Sequence, residues 1–178
     1  MFERKFRVLL ATALSLTVAA GVLALTPKQA LLALLPAGRP DVRLQLHGAV
    51  HRGEQVFTVE KANPIGHGEF INWTVEASNV GDGAAKGVVV GAHVPSGTQF
   101  VGGSASAPGA RVLYSINEGR DFSEQPMIEK KDLNGQTVMV PAPQSLYTNL
   151  RFEWVGTIDA DARVKATYQV EVTAGGEK

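Results

Sequence analysis

The ten residues Arg163–Val172 alternate without a break. Val164, Ala166, Tyr168, Val170 and Val172 interleave with Arg163, Lys165, Thr167, Gln169 and Glu171. Successive side chains of a strand leave on opposite faces, so this segment reads as a strand with one face on a core and one in water. The same period runs through Ile71, Trp73, Val75 and Ala77, set between Asn72, Thr74, Glu76 and Ser78. It recurs at Leu150, Phe152 and Trp154, with Arg151 and Glu153 opposite. A chain that repeats this pattern has to build sheets.

Other segments fill in the plan. Val42, Leu44, Leu46 and Val50 share one parity, and Arg43, Gln45, His47 and Ala49 the other. Gln55–Ala62 is a second strand, ended by Asn63-Pro64 and the glycines Gly66 and Gly68. Asn79-Val80-Gly81-Asp82-Gly83 is a turn of residues that tolerate positive φ, and the β-branched run Val88-Val89-Val90 follows it. Gly102–Gly109 is a Gly/Ala/Ser/Pro loop, and Val112, Tyr114 and Ile116 alternate after it. Phe122–Leu133 is charged, contains Pro126 and has no clear period. It reads as a long loop that could hold a helical turn at Ile128–Leu133. Asn134-Gly135 is a hairpin turn leading into Thr137–Val140.

This makes about nine strand candidates with turn signals between them, and no amphipathic helix after residue 40. The expected fold is all-β, an antiparallel β-sandwich, preceded by an N-terminal hydrophobic export helix.

That helix rests on residues 1–25. Arg4, Lys5 and Arg7 precede Val8–Leu25, which carries no charge. A basic start before an apolar run reads as a secretory signal. The run is long for a signal, so a retained membrane anchor is the second reading. In either case the bulk of the chain lies outside the cytoplasm, in the periplasm, the envelope or at the cell surface. The expected division is 1–25 signal or anchor, 26–41 linker, 42–174 sandwich and 175–178 tail. The linker includes the short apolar run Ala30–Leu35.

Composition excludes several functions. Cysteine is absent, which removes disulfides, thiolate zinc sites and a cysteine nucleophile. Formal net charge is zero, so no basic surplus is present to hold a nucleic-acid backbone.

Chemistry-bearing motifs are sparse. The histidines are His47, His51, His67 and His93. His47 and His51 lie on one strand face but roughly 13 Å apart, too far to share a zinc ion on a straight strand. Asp82 stands alone where a calcium loop needs several carboxylates, and Asp159 and Asp161 read the same way, as turn residues. No serine sits in a nucleophile elbow, and Gly102-Gly103-Ser104 has no following helix to cradle phosphate. Asn72-Trp73-Thr74 fits a glycosylation sequon but lies mid-strand. Trp73 and Trp154 are expected to pack in the core. No catalytic, cofactor-binding or metal-binding residue is assigned, and the expected cofactor is none.

In order, Val59–Pro64 with Gly66–Glu69, INWTVEASNVGDG at Ile71–Gly83, and AAKGVVVGAHVPSGTQFVGGS at Ala84–Ser104 form a sequence of motifs. Val112–Phe122, Tyr147–Phe152 and Arg163–Val172 complete it. Together they resemble the bacterial surface-protein repeat family known as domain of unknown function 11. The resemblance covers about Val56–Val172. Ala92 stands where that family carries an Asp, and Trp73 where it usually carries Tyr. The resemblance implies an immunoglobulin-like sandwich on exported bacterial proteins, with structural or adhesive roles and no enzyme activity. The expected function is therefore a non-enzymatic exported envelope or cell-surface module with a structural or protein-interaction role, an accessory part of a larger envelope assembly, its partner an envelope protein or another surface component. The alternative is a small metal-dependent or hydrolytic periplasmic enzyme using the histidines. Membrane contact is expected only through Val8–Leu25, and none with nucleic acid.

Overall fold

Parity decides which residues meet. The inward set of the last strand, Ala166, Tyr168, Val170 and Val172, is buried, as are Ile71, Val75 and Ala77 opposite it and Leu150, Phe152 and Trp154 in the facing layer. The computed structural model describes residues 38–173. The expected N-terminal export helix, most of the expected linker and the tail lie outside them.

The strands, in chain order, are β1 (Val42–Arg52), β2 (Gln55–Thr58), β3 (Phe70–Asn79), β4 (Ala85–Lys86), β5 (Val89–His93) and β6 (Thr98–Phe100). They continue as β7 (Ala110–Ser115), β8 (Met127–Lys131), β9 (Thr137–Pro141), β10 (Asn149–Trp154), β11 (Thr157–Ile158) and β12 (Arg163–Val172). One short 3-10 turn, Gln144–Leu146, interrupts them. All pairings are antiparallel. The fold is all-β and sandwich-like. A five-stranded sheet of order β2-β1-β3-β12-β6 and a three-stranded sheet of order β5-β10-β7 contribute to one apolar cluster.

β3 is the spine of the larger sheet. It pairs with β1 from Val50↔Ile71 to Val42↔Asn79 and with β12 from Val170↔Ile71 to Arg163↔Ser78. In the smaller sheet, β10 pairs with β5 at Phe152↔Val90 and with β7 at Phe152↔Val112. The pair β4–β11 continues the β5–β10 ladder with its register moved by one residue. Two glycines at positive φ, Gly87 and Gly156, sit where the register changes.

Asn79 closes one end of the core. It is fully buried, and its amide nitrogen donates to Gly83 O (2.7 Å), Ile158 O (3.0 Å) and Asp159 O (3.1 Å). Its side-chain oxygen accepts from Asp41 N (3.1 Å) and Gly81 N (3.2 Å). The chain just before β1 is therefore already held: Asp82 accepts from Arg39 N at 2.6 Å, and Val80 N donates to Asp41 O at 2.8 Å. Gly81 and Gly83 allow this approach, because a Cβ at either would collide with the Gly38–Asp41 backbone.

Two expectations are corrected. The stretch read as a loop with a helical turn at Ile128–Leu133 contains β8, which pairs with β9 around the Asn134-Gly135 turn. This two-stranded arm stands apart from the other sheets, with Leu133, Met139 and Val138 exposed. Water on both of its faces is the reason no alternation marks it. The apolar parity set of β1 is not buried along its length either. Val50 is fully buried, but Leu44 and Leu46 are 56% and 57% exposed.

Candidate functional site

The exposed leucines follow from a mismatch between the layers. The larger sheet has five strands and the smaller three, so the smaller cannot cover the whole inner face of the larger. At the Gly48 end of β1, Val59 and Trp73 fill the gap. A Cβ on Gly48 would meet the Trp73 ring at 2.8 Å, so glycine there lets the indole lie against β1. At the other end nothing among the described residues lies over Leu44 and Leu46. The result is an apolar groove of about 320 Å³, lined chiefly by Leu44, Leu46, Trp73, Val75, Val90 and Ala92.

Tyr168 forms the deep wall of this groove. It is 3% exposed, and its hydroxyl donates to His93 O at 2.9 Å, joining β12 to β5. Burial pushes the phenol up to about 12. Trp73 is half-buried rather than a sealed core residue, and its Nε1 is buried with no hydrogen-bond partner among the described residues. Trp154 does sit in the core, its Nε1 donating to Pro108 O at 3.2 Å.

One wall of the groove ends in an open strand edge. Val94 N donates to Thr148 O, and Val88 O accepts from Trp154 N. Backbone groups alternate sides along a strand, so Val88, Val90 and Ala92 turn theirs toward β10. Those of Val89, Gly91 and His93 point the other way. The outer sides of β12 and β7 are continued by β6 and Ser106 and by Ser123, respectively. Among the described residues, the outer side of β5 carries no strand or bridge.

The histidines do not converge. His47 and His51 project from the outer face of the larger sheet, His93 from the outer face of the smaller one, and His67 from the loop before β3; all are exposed. His93 Nδ1 lies 3.4 Å from the Asn149 amide nitrogen. Among the described residues, no three His, Asp or Glu side chains are grouped to hold a metal ion. Asp82 acts as a turn acceptor, as described, and Asp159 and Asp161 form the β11–β12 turn, where Asp161 has φ 59°.

The two loops marked by composition differ in character. Gly102–Gly109 runs along β12: Ser106 bridges Thr167, and Ser104 Oγ accepts from Gln169 N at 3.0 Å. Phe122–Leu133 begins under the Arg151 guanidinium, which lies 3.8 Å from the centre of the Phe122 ring, and then becomes the arm. Sequence reasoning missed the groove. Its leucines carried the right parity, but parity does not say whether a facing strand exists.

A polar latch holds the opposite end of the molecule. Arg52 Nε donates to Glu69 Oε1 at 2.6 Å, and its NH2 group reaches Ala62 O (2.9 Å) and Pro64 O (2.7 Å). Gly66 N donates to Glu69 Oε2 at 2.5 Å. The guanidinium, and then the Gly66 amide, hold the Glu69 carboxyl down at about 2.

Comparisons with protein-family models, with curated proteins and with solved structures find no match to this chain.

Proposed function

We propose that this chain is a non-enzymatic, exported module of a bacterial envelope, immunoglobulin-like in plan, that works by binding another envelope protein. The observation that carries the reading is the groove beside β5. It is apolar, open at a sheet edge and, among the described residues, lined by no Asp, Glu, Lys or Arg. Open apolar surface beside unpaired backbone is characteristic of a place where another chain docks. The basic start and apolar run of residues 1–25 support export, and the motif order at Val56–Val172 supports a surface-protein setting.

Cell fractionation combined with affinity capture tests this. The tagged chain should appear in the envelope fraction and bring down one protein in stoichiometric amount. Leu46→Glu, which puts a charge in the groove without touching the buried core, should lose that protein. A cytoplasmic location, or capture that Leu46→Glu does not change, would overturn the reading.

A further inference from the structure

We infer that the groove is the seat of a missing strand: an extended segment of a partner polypeptide, apolar at alternate positions, adds to the free edge of β5 and lays its side chains over Leu44 and Leu46. This rests on the interaction reading above and gives it a mode.

Three observations specify a strand rather than any other occupant. The first is the layer count, five strands facing three, which among the described residues leaves Leu44 and Leu46 on the inner face of the larger sheet uncovered beside β5. The second is the edge itself. Val89 and Gly91 turn both N–H and C=O outward, and a backbone in extended form is the partner that satisfies such a row. The third is the lining. Leu44, Leu46, Val75, Val90 and Ala92 are aliphatic, and they receive side chains that leave a strand on one face only. At one end Tyr168 already occupies the His93 carbonyl, so pairing runs over Val89 and Gly91 and stops at the His93 amide. The added strand is therefore short, comparable to the five residues of β5.

The groove is neutral, so recognition depends on the alternation and not on charge steering.

The test uses the isotope-labelled full chain in solution. The probe is a short synthetic peptide in which valine alternates with threonine, with lysine at each end for solubility. The control has the same composition with the valines grouped together. The alternating peptide should shift the amides of Val89 and Gly91 and the methyls of Leu44 and Leu46. The grouped peptide should bind about tenfold more weakly or worse, a difference of about 1.4 kcal/mol. Gly91→Pro removes an outward N–H without touching the β10 ladder and should cost about tenfold or more. Leu46→Glu, at an exposed position, should do the same and covers the case in which the proline variant does not fold.

Shifts spread over other sheet edges, equal binding of both peptides, or binding unchanged in Leu46→Glu would overturn the inference. Concentration-dependent shifts at Leu44, Leu46 and Gly91 without peptide would assign the groove to a second copy and overturn the foreign partner. Loss of peptide binding while envelope capture still depends on Leu46 would remove the strand mode alone. Peptide binding without an envelope partner would support the mode and remove the envelope setting.

Discussion

Tyr168 on β12 donates its hydroxyl to the main-chain oxygen of His93 on β5 at 2.9 Å, a direct polar tie between the two sheets. The tie sits at the wall of the groove, so it sets how far β5 stands from the larger sheet there.

Tyr168→Phe should lower stability by about 1 kcal/mol at neutral pH, the usual net worth of one hydrogen bond. The pH dependence gives a sharper check. The phenol ionises near 10 in the unfolded chain and near 12 in the folded one. Above 10 the unfolded state releases a proton that the folded state keeps, so stability falls with rising pH through this window. The wild type should lose stability there, and the phenylalanine variant should lose less. Denaturant melts at neutral pH and near pH 11 would show the two curves converging.

Asn79→Ala should be among the most damaging polar substitutions. It strands the Ile158 carbonyl in a buried setting and releases the Asp41 and Gly81 amides together. A loss of about 2–4 kcal/mol is expected from unsatisfied groups at one buried hub. The urea midpoint measures it. Asn79→Asp should also destabilise, because a carboxylate cannot donate to the three carbonyls.

Acid should act on the Arg52–Glu69 latch. The Glu69 carboxyl lies well below its ordinary 4.5, at about 2. Its contribution is complete above 4.5 and fades as pH falls toward 2. The wild type should therefore melt at a higher temperature than Glu69→Gln above that window, and the gap should close inside it. Both ends of this pair are open to solvent, so high salt should also narrow the gap.

Removing the β8–β9 arm should barely change the melting temperature of the rest. The arm sits outside the main core cluster, and its base is spanned by the Ala142 N to Pro126 O bond at 2.8 Å. A short glycine link from Pro126 to Ala142 should keep that bond. Thermal melts of the two chains would check this; a large drop would mean the arm does pack on the core.

The sequence shows most of the sheet plan and little of the site. Arg163–Val172, Leu150–Trp154 and Ile71–Ala77 are legible because each has one wet and one dry face, and burial follows their parity. β8 was not legible because both of its faces meet water, and Glu129, Lys130 and Lys131 mask the Ile128–Val140 pair. Leu44 and Leu46 show the opposite failure. Their parity is right, yet their exposure depends on how many strands the other layer contributes, which no local period encodes. The fold was thus readable element by element, whereas the groove exists only in the mismatch between layers.

The pairing of β3 has a consequence for how this chain reaches its native state. β1 lies just upstream of β3, but β12, its other neighbour, is the last strand among the described residues, with Ile71 meeting Val170 and Ser78 meeting Arg163. The spine of the larger sheet therefore keeps one unsatisfied side until the chain has been made through β12, about ninety residues after β3. Contacts this distant slow folding and expose strand edges to aggregation while they wait. A chain truncated before Arg163 would lack not a tail but the closing member of its central sheet, and an early stop or a clip there would leave a nascent chain that holders of unfolded protein must carry.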